Sequence, residues 1–299
     1  MMQADPRSPM SPSRLRLRPW RDARCALFLL AALFLVPSSC GLPPFSSAQD
    51  KPPVLPQGRR QAARNLQLSE ALFAAVEFGD QETATTLLAQ GADPNLAHDK
   101  NGVTALMLAI EDEDAKLAAA LLDAGADLNA GDVSGWNALM TAADNGYVDI
   151  LSLLLGRGAK VDAADSNGWT ALIVAIASHR PEAARALLAA GADPQARDRN
   201  GTTALMLAAA AGQTEVVAAL LAALAPARDR ENRLGPALAA RDSSGWTALH
   251  HAASQGRPEV ARQLLAAGCE VDALNPGGYT PLLLAAEVGD APAVRVLLA

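Results

Sequence analysis

The sequence predicts an all-α solenoid of about seven helix–turn–helix units joined by hairpin loops. Two markers indicate this fold: a glycine that recurs mostly every 33 residues, and one Leu-Leu pair in each unit. The glycines are Gly102, Gly135, Gly168, Gly201, Gly245 and Gly278, with a longer interval of 44 residues before Gly245. The Leu pairs begin at residues 87, 121, 154, 187, 220, 264 and 297. A fixed period of this length is typical of stacked repeats, in which each unit packs on its neighbours.

The unit that opens at Gly168 shows why each element forms. Gly168 permits a positive φ in a tight turn, and Thr170 can cap the short first helix that follows. Pro181 suits the first turn of a second helix, because its missing N–H has no intrahelical partner there. Gly191 has the residue type and position of a left-handed C-cap, so we expect the second helix to end just before it. The polar residues 193 to 200 then predict a loop of hairpin type.

These residues resemble the ankyrin repeat. The T-P-L-H-x-A opening of that family is matched in part by residues 170 to 175, TALIVA, and more closely by residues 280 to 285, TPLLLA. The resemblance covers residues 68 to 299 and implies a stack whose hairpins and first helices form a binding face for a protein partner. The family's His is present only as His250, so we expect apolar packing to replace its hydrogen bond to Thr elsewhere. The equivalent residues are Met107, Met140, Ile173, Met206 and Leu283.

Three parts of the chain are predicted. Residues 1–40 form a signal peptide with a possible lipobox, residues 41–67 form a Pro-rich linker, and residues 68–299 form the repeat domain. The units span about residues 68–100, 101–134, 135–167, 168–200, 201–244, 245–277 and 278–299. The first unit has a polar second helix, which is typical of a terminal unit that caps a stack.

The N-terminus has the pattern of a bacterial secretory signal. Several Arg residues precede an apolar run of 12 residues, Cys25 to Val36, which is too short to span a bilayer comfortably. The segment Ser38-Ser39-Cys40-Gly41 resembles a lipobox, in which Cys40 would be lipidated and become the first mature residue, although Pro37 departs from the usual aliphatic residue. We therefore expect a protein that is anchored only by this lipid and faces the periplasm. Two alternatives stay open: cleavage after Ala48, which gives a soluble periplasmic or secreted protein, and an uncleaved anchor.

Composition and charge argue against a nucleic-acid partner. The chain is 50% hydrophobic but only 4% aromatic, which suits an Ala/Leu-rich helical stack. Six Arg and two Asp fall in residues 1 to 24, so the remaining residues have a net charge of −11. No cluster of Lys or Arg occurs in the repeats, and an acidic body without one repels nucleic acid.

The fifth unit carries the one large irregularity. Since Gly235 lies as far before Gly245 as Gly191 lies before Gly201, the 11 extra residues are about Leu224 to Leu234. Insertions in repeat proteins emerge as loops. This one is interpreted either as a plain surface extension or as a contact loop on an otherwise acidic body. Its contact residues would then be Arg228, Arg230 and Arg233.

The sequence motifs predict no catalytic residue, no metal site and no cofactor. The adjacent His250 and His251 lack the i, i+4 spacing of a zinc-binding helix, so a structural role is expected. The acidic run from Glu111 to Asp114 lacks the alternating ligands of an EF-hand, which favours a solvated turn with Asp114 capping the next helix. Cys269 replaces an Ala found in other units and is interpreted as a small buried residue. No nucleophile elbow, Walker or dinucleotide motif is present.

The position after each opening glycine is enriched in aromatic residues. Its rings either stack on the neighbouring hairpin or anchor a protein partner, and both roles can hold at once. We expect a non-catalytic scaffold for protein–protein interaction in the bacterial cell envelope. The alternative is a dedicated inhibitor, immunity protein or protective partner of one periplasmic enzyme. The residues at this position are Val103, Trp136, Trp169, Thr202, Trp246 and Tyr279, of which the four aromatic ones are the predicted contacts.

Overall fold

The computed structural model describes residues 57–96, 101–225 and 235–299, in which the regular structure is helical. Two compact units divide the chain, Met1–Gln67 and Leu68–Ala299. Fifteen helices occur in the described residues: α1 (Gln57–Glu77), α2 (Gln81–Ala89), α3 (Ala105–Glu111), α4 (Ala115–Asp123), α5 (Ala138–Asn145), α6 (Val148–Gly156), α7 (Ala171–Ala177), α8 (Pro181–Ala189), α9 (Ala204–Ala211), α10 (Thr214–Leu224), α11 (Gly235–Leu238), α12 (Ala248–Ser254), α13 (Pro258–Ala266), α14 (Pro281–Val288) and α15 (Ala291–Leu298). None of these helices combines the length and apolar character that crossing a membrane requires.

The first helix begins earlier than the sequence indicated. Helix α1 starts at Gln57, inside the segment 41–67 that was predicted to be a linker. The residues after Pro56 explain the difference, because Gln, Arg and Ala are strong helix formers and no further proline interrupts them. Side chains from Gln61 to Gln67 are exposed, so this part of α1 is a polar helix.

The first helices are capped as predicted. In each of six units, the residue before the first helix accepts a hydrogen bond from the backbone N–H three residues later. The structure also confirms the predicted second helix after Pro181 and the left-handed Gly191, which has φ +89°. The capping residues are Thr104, Asn137, Thr170, Thr203, Thr247 and Thr280.

Helices of the same kind pack side by side along the repeat domain. The first helices α3, α5, α7, α9, α12 and α14 form one layer, and the second helices α2, α4, α6, α8, α10, α13 and α15 form the other. The core lies between the two layers. Met140, Ile173 and Met206, which replace the family's His, are almost fully buried. Apolar packing takes the place of the Thr-to-His hydrogen bond around Met140 and Ile173, as expected. Met206 Sδ instead accepts a hydrogen bond from Thr203 N at 3.4 Å, and Leu283 is 51% exposed.

The fifth unit differs in detail from its predicted alignment. Helix α10 runs on through Leu224, which is buried, because no glycine follows its Leu pair to end the helix. Gly235 is not a left-handed C-cap like Gly191. It opens the short helix α11, where Pro236 suits the first turn. The intervening residues 226–234 lie outside the described part of the chain.

Candidate protein-binding face

In five hairpins the position after the opening glycine is fixed by a repeated loop geometry. In four hairpins an Asp side chain accepts a hydrogen bond from the backbone N–H four residues later, over 2.8–2.9 Å. Asn275 does the same for Tyr279 at 2.9 Å. We call the six residues that directly follow the opening glycines the hairpin row. These residues are Val103, Trp136, Trp169, Thr202, Trp246 and Tyr279.

Consecutive hairpins are joined to one another through their backbones. Ser166 N donates to Ser134 O at 2.6 Å, and Arg199 N donates to Asn167 O at 2.8 Å. Ser243 N continues the series with a bond to the carbonyl of the preceding hairpin at 2.7 Å. Close approach depends on the opening glycine: a Cβ at Gly168 would lie 3.1 Å from the backbone of the next hairpin. The hairpins that carry the row are therefore joined from Trp136 to Trp246, whereas Pro276 in the next hairpin has no N–H to continue the series.

The tryptophan rings of the row are half-buried and pack against the core. Trp136 Nε1 donates to Thr141 Oγ1 at 3.0 Å, which ties the ring to the first helix of its own unit. The ring of Trp246 lies 6.1 Å from that of His250 and 5.2 Å from that of His251, measured between centroids. Tyr279 is 44% exposed. The predicted contact residues thus form a partly buried row whose most accessible ring is Tyr279.

The first helices supply the surface beside the row. The residue five positions after each row member is buried or half-buried: Thr141 is bonded to Trp136, and His251 Nε2 lies 2.9 Å from Asp242 Oδ2. Eight positions after Trp169 and Thr202, the first helices have the small residues Ala177 and Ala210. The turn of each first helix that lies next to the row is therefore occupied mainly by packed side chains.

Long polar side chains before the second helices lock neighbouring units together, a role that the sequence analysis missed. Arg180 Nε donates to Asp144 O at 3.0 Å, and Arg257 Nε donates to Ala210 O at 3.2 Å. Gln213 Nε2 donates to Ile176 O at 2.7 Å. Each group satisfies a carbonyl near the C-terminus of the preceding unit's first helix. Long polar side chains at this same position in successive units are the sequence signal that could have revealed this role.

Two sets of predicted residues lie outside the described part of the chain. Cys40, the predicted lipidation site, is in the N-terminal segment before residue 57. The loop arginines belong to the segment 226–234; they are Arg228, Arg230 and Arg233.

His250 has the structural role that was predicted for it. The side chain is fully buried, and its Nδ1 lies 3.2 Å from Thr247 N and 2.8 Å from Thr247 Oγ1. Its Nε2 lies 3.2 Å from the carbonyl oxygen of Tyr279 in the next unit. Burial lowers the pKa of His250, while the Tyr279 hydrogen bond opposes the shift. The ring therefore connects two units as a neutral imidazole.

The other candidate chemical groups have structural positions. Asp114 caps α4 by accepting from Leu117 N at 2.9 Å, which confirms the predicted cap. Cys269 is half-buried, and burial raises the pKa of its thiol to about 12. A thiol with this pKa is protonated at neutral pH and is a poor nucleophile. In residues 57–96, 101–225 and 235–299, no cluster of His, Cys, Asp and Glu has the composition of a metal site.

Comparison with known protein families matches the chain to ankyrin repeats, described as three copies, over residues 72–165, 134–198, 157–229 and 231–299. These overlapping matches cover more than half of the chain. A search of curated proteins finds no match.

Proposed function

This chain belongs to the ankyrin repeat family, whose repeats generally mediate protein–protein interaction, and we propose that it is a non-catalytic scaffold that binds a protein partner through the hairpin row. The row residues and the adjoining surfaces of the first helices would form the contact face. We further propose that the protein works in a bacterial cell envelope, held there by a lipid on Cys40.

The composition of the hairpin row is the observation that carries the binding proposal. Four of its six residues are aromatic, in a chain that is 4% aromatic. The three Trp rings pack against the core, and Trp136 is also held by its hydrogen bond to Thr141. Aromatic side chains that are already ordered lose little conformational entropy on binding, which is why Trp and Tyr are common interface anchors.

Partner capture tests the row. Immobilised mature protein is incubated with periplasmic and membrane extracts, and the bound proteins are identified by mass spectrometry. Tyr279→Ala removes the most exposed ring, so we expect capture to fall with little change in stability. Trp136→Ala also removes the bond to Thr141, so its unfolding is measured in parallel. Arg262→Ala, on the exposed side of α13 where Arg262 pairs with Glu259, is the control that should retain capture.

The results separate the possible roles. Full capture by the row variants Tyr279→Ala, Trp136→Ala, Trp169→Ala and Trp246→Ala would contradict the proposed contact face. Capture of several proteins with moderate affinity fits a general scaffold. One tightly bound enzyme fits the alternative of a dedicated inhibitor, immunity or protective protein.

Localisation is tested independently of binding. Cells that express the full chain are labelled with a fatty acid analogue and extracted with a detergent that separates into two phases. We expect the wild-type protein in the detergent phase and Cys40→Ala in the aqueous phase. Identical partitioning of the two proteins would contradict the lipid anchor and leave the binding proposal untouched.

A further inference from the structure

The junction between the sixth and seventh units contains a titratable group where the other units have none. His250 occupies the position of Met107, Met140, Ile173, Met206 and Leu283 in the other units, and those side chains do not ionise. It is fully buried on α12, which packs directly on α14 of the seventh unit. A change in its charge would therefore act on one junction of the stack.

The hydrogen bonds of His250 suit the neutral ring. Thr247 N–H points at Nδ1 over 3.2 Å, and Thr247 Oγ1 lies 2.8 Å from the same nitrogen, so an unprotonated Nδ1 can accept from Thr247. Nε2 then carries the proton and donates to the Tyr279 carbonyl at 3.2 Å, which belongs to the opening turn of the seventh unit. A second proton on Nδ1 would deprive the Thr247 N–H of its acceptor, with Thr247 Oγ1 at 2.8 Å left to accept the new proton, and it would place a positive charge in the core.

In the part of the chain that the structure describes, no carboxylate contacts His250, and only the backbone hydrogen bonds of Tyr279 and Ala273 favour a proton on the ring. Arg241 and His251 both disfavour a proton on His250, and they add to the lowering of its pKa by burial. The nearby carboxylate of Asp242 is within hydrogen-bond distance of His251, at 2.9 Å. Helix α9, on the other side of α12, contains only Ala, Leu and Met. The charged residues of α13 and α14, which are Glu259, Arg262 and Glu287, are exposed.

We propose that the contact between the sixth and seventh units is pH-sensitive and opens when His250 takes up a proton. Opening would release α14 and α15 from α12 and α13, and it would remove Tyr279 from the hairpin row. The folded pKa is lower than that of an unfolded histidine, so the neutral ring stabilises the junction fully above about pH 6.5. This stabilisation is lost as the pH falls through the folded value.

The fifth unit supplies a matched variant that does not titrate. Met206 is equally buried, and its Sδ accepts from Thr203 N at 3.4 Å, as His250 Nδ1 accepts from Thr247 N. His250→Met should therefore keep the cap and the packing while removing the proton-binding site. His251→Gln is the second control, because it removes the neighbouring imidazole and leaves His250 in place.

Hydrogen exchange of the full chain, followed by mass spectrometry at about pH 7.5 and about pH 5 and corrected for intrinsic rates, measures the junction directly. In the wild type, we expect the amides of residues 278–299 to lose protection at the lower pH by up to about 30-fold, because pH 5 lies about 1.5 pH units below the ordinary histidine pKa. Residues 168–200 should keep their protection. The loss should disappear in His250→Met and persist in His251→Gln.

Two results would overturn the proposal: equal protection of the seventh unit at both pH values in the wild type, or an unchanged pH effect in His250→Met. If that variant does not fold, the wild type still decides. The NMR shifts of the His250 ring and of Tyr279 should then change together, below the ordinary histidine pKa. Signals of the two residues that change over different pH ranges would refute the coupling.

Discussion

Replacing Leu187 by Ala should weaken the stack at its centre. Leu187 lies on α8 with no exposed surface, and α8 packs on α6 and on α10 in the units before and after it. The substitution removes three carbon atoms, which is worth roughly 2.4 kcal/mol at about 0.8 kcal/mol for each buried methylene. A cavity that two neighbouring units hold open adds to this, so we expect a total loss of about 3 to 5 kcal/mol.

The last unit provides the comparison. Leu297 is the equivalent residue in the seventh unit and is 7% exposed. Its helix α15 packs on one helix of the second-helix layer, α13, whereas α8 packs on two. Leu297→Ala should cost about 2 kcal/mol, because Leu297 is less completely buried than Leu187 and its helix packs on fewer helices in the structure. Leu298, which is 68% exposed, should cost less than about 0.5 kcal/mol when replaced by Ala.

Urea unfolding followed by circular dichroism gives the three free energies of unfolding, and hydrogen exchange shows where protection is lost. For Leu187→Ala, amides in α6 and α10 should exchange faster as well as those in α8. Equal losses of stability for Leu187→Ala and Leu298→Ala would refute the argument from burial. Faster exchange confined to α8 would refute the argument that each unit depends on its neighbours.

Four further predictions follow from single positions. Gly168→Ala should cost more than about 1 kcal/mol in urea unfolding, because its φ is +80° and the new Cβ would lie 3.1 Å from the next hairpin. Gly156→Ala, at the end of α6 with open space around it, should be neutral or stabilising by up to about 1 kcal/mol. His179→Gly should raise the free energy of unfolding by up to about 1 kcal/mol, because His179 has the left-handed φ of +56° at a position where several other units have Gly. A loss of stability would mean that the contact of His179 with Gln213 outweighs this backbone strain. Cys269 should resist alkylation by iodoacetamide at pH 8 in the folded protein and react on unfolding, since burial raises its pKa to about 12; rapid labelling of the native state would contradict this.

Most of each unit was predictable because its signals are local. The Thr170 cap, Pro181 in the first turn of α8 and the left-handed Gly191 each act on backbone within a few residues, and the structure has all three as expected. The start of α1 at Gln57 was missed because prolines just upstream made the whole segment read as a linker. The role of Gly235 was missed because spacing alone cannot show that α10 continues past its usual end.

The sequence by itself determined the period, the helix boundaries of most units and the identity of the hairpin row, because turns and caps depend on neighbouring residues along the chain. Only the tertiary structure decided how the units hold each other. Arg180 reaches the carbonyl of Asp144, and His250 reaches that of Tyr279, across a full repeat in each case. These contacts depend on the distance between units after stacking, and no local propensity encodes that distance. For the same reason, only the structure revealed that the Trp rings of the hairpin row are half-buried against their own units while Tyr279 is exposed.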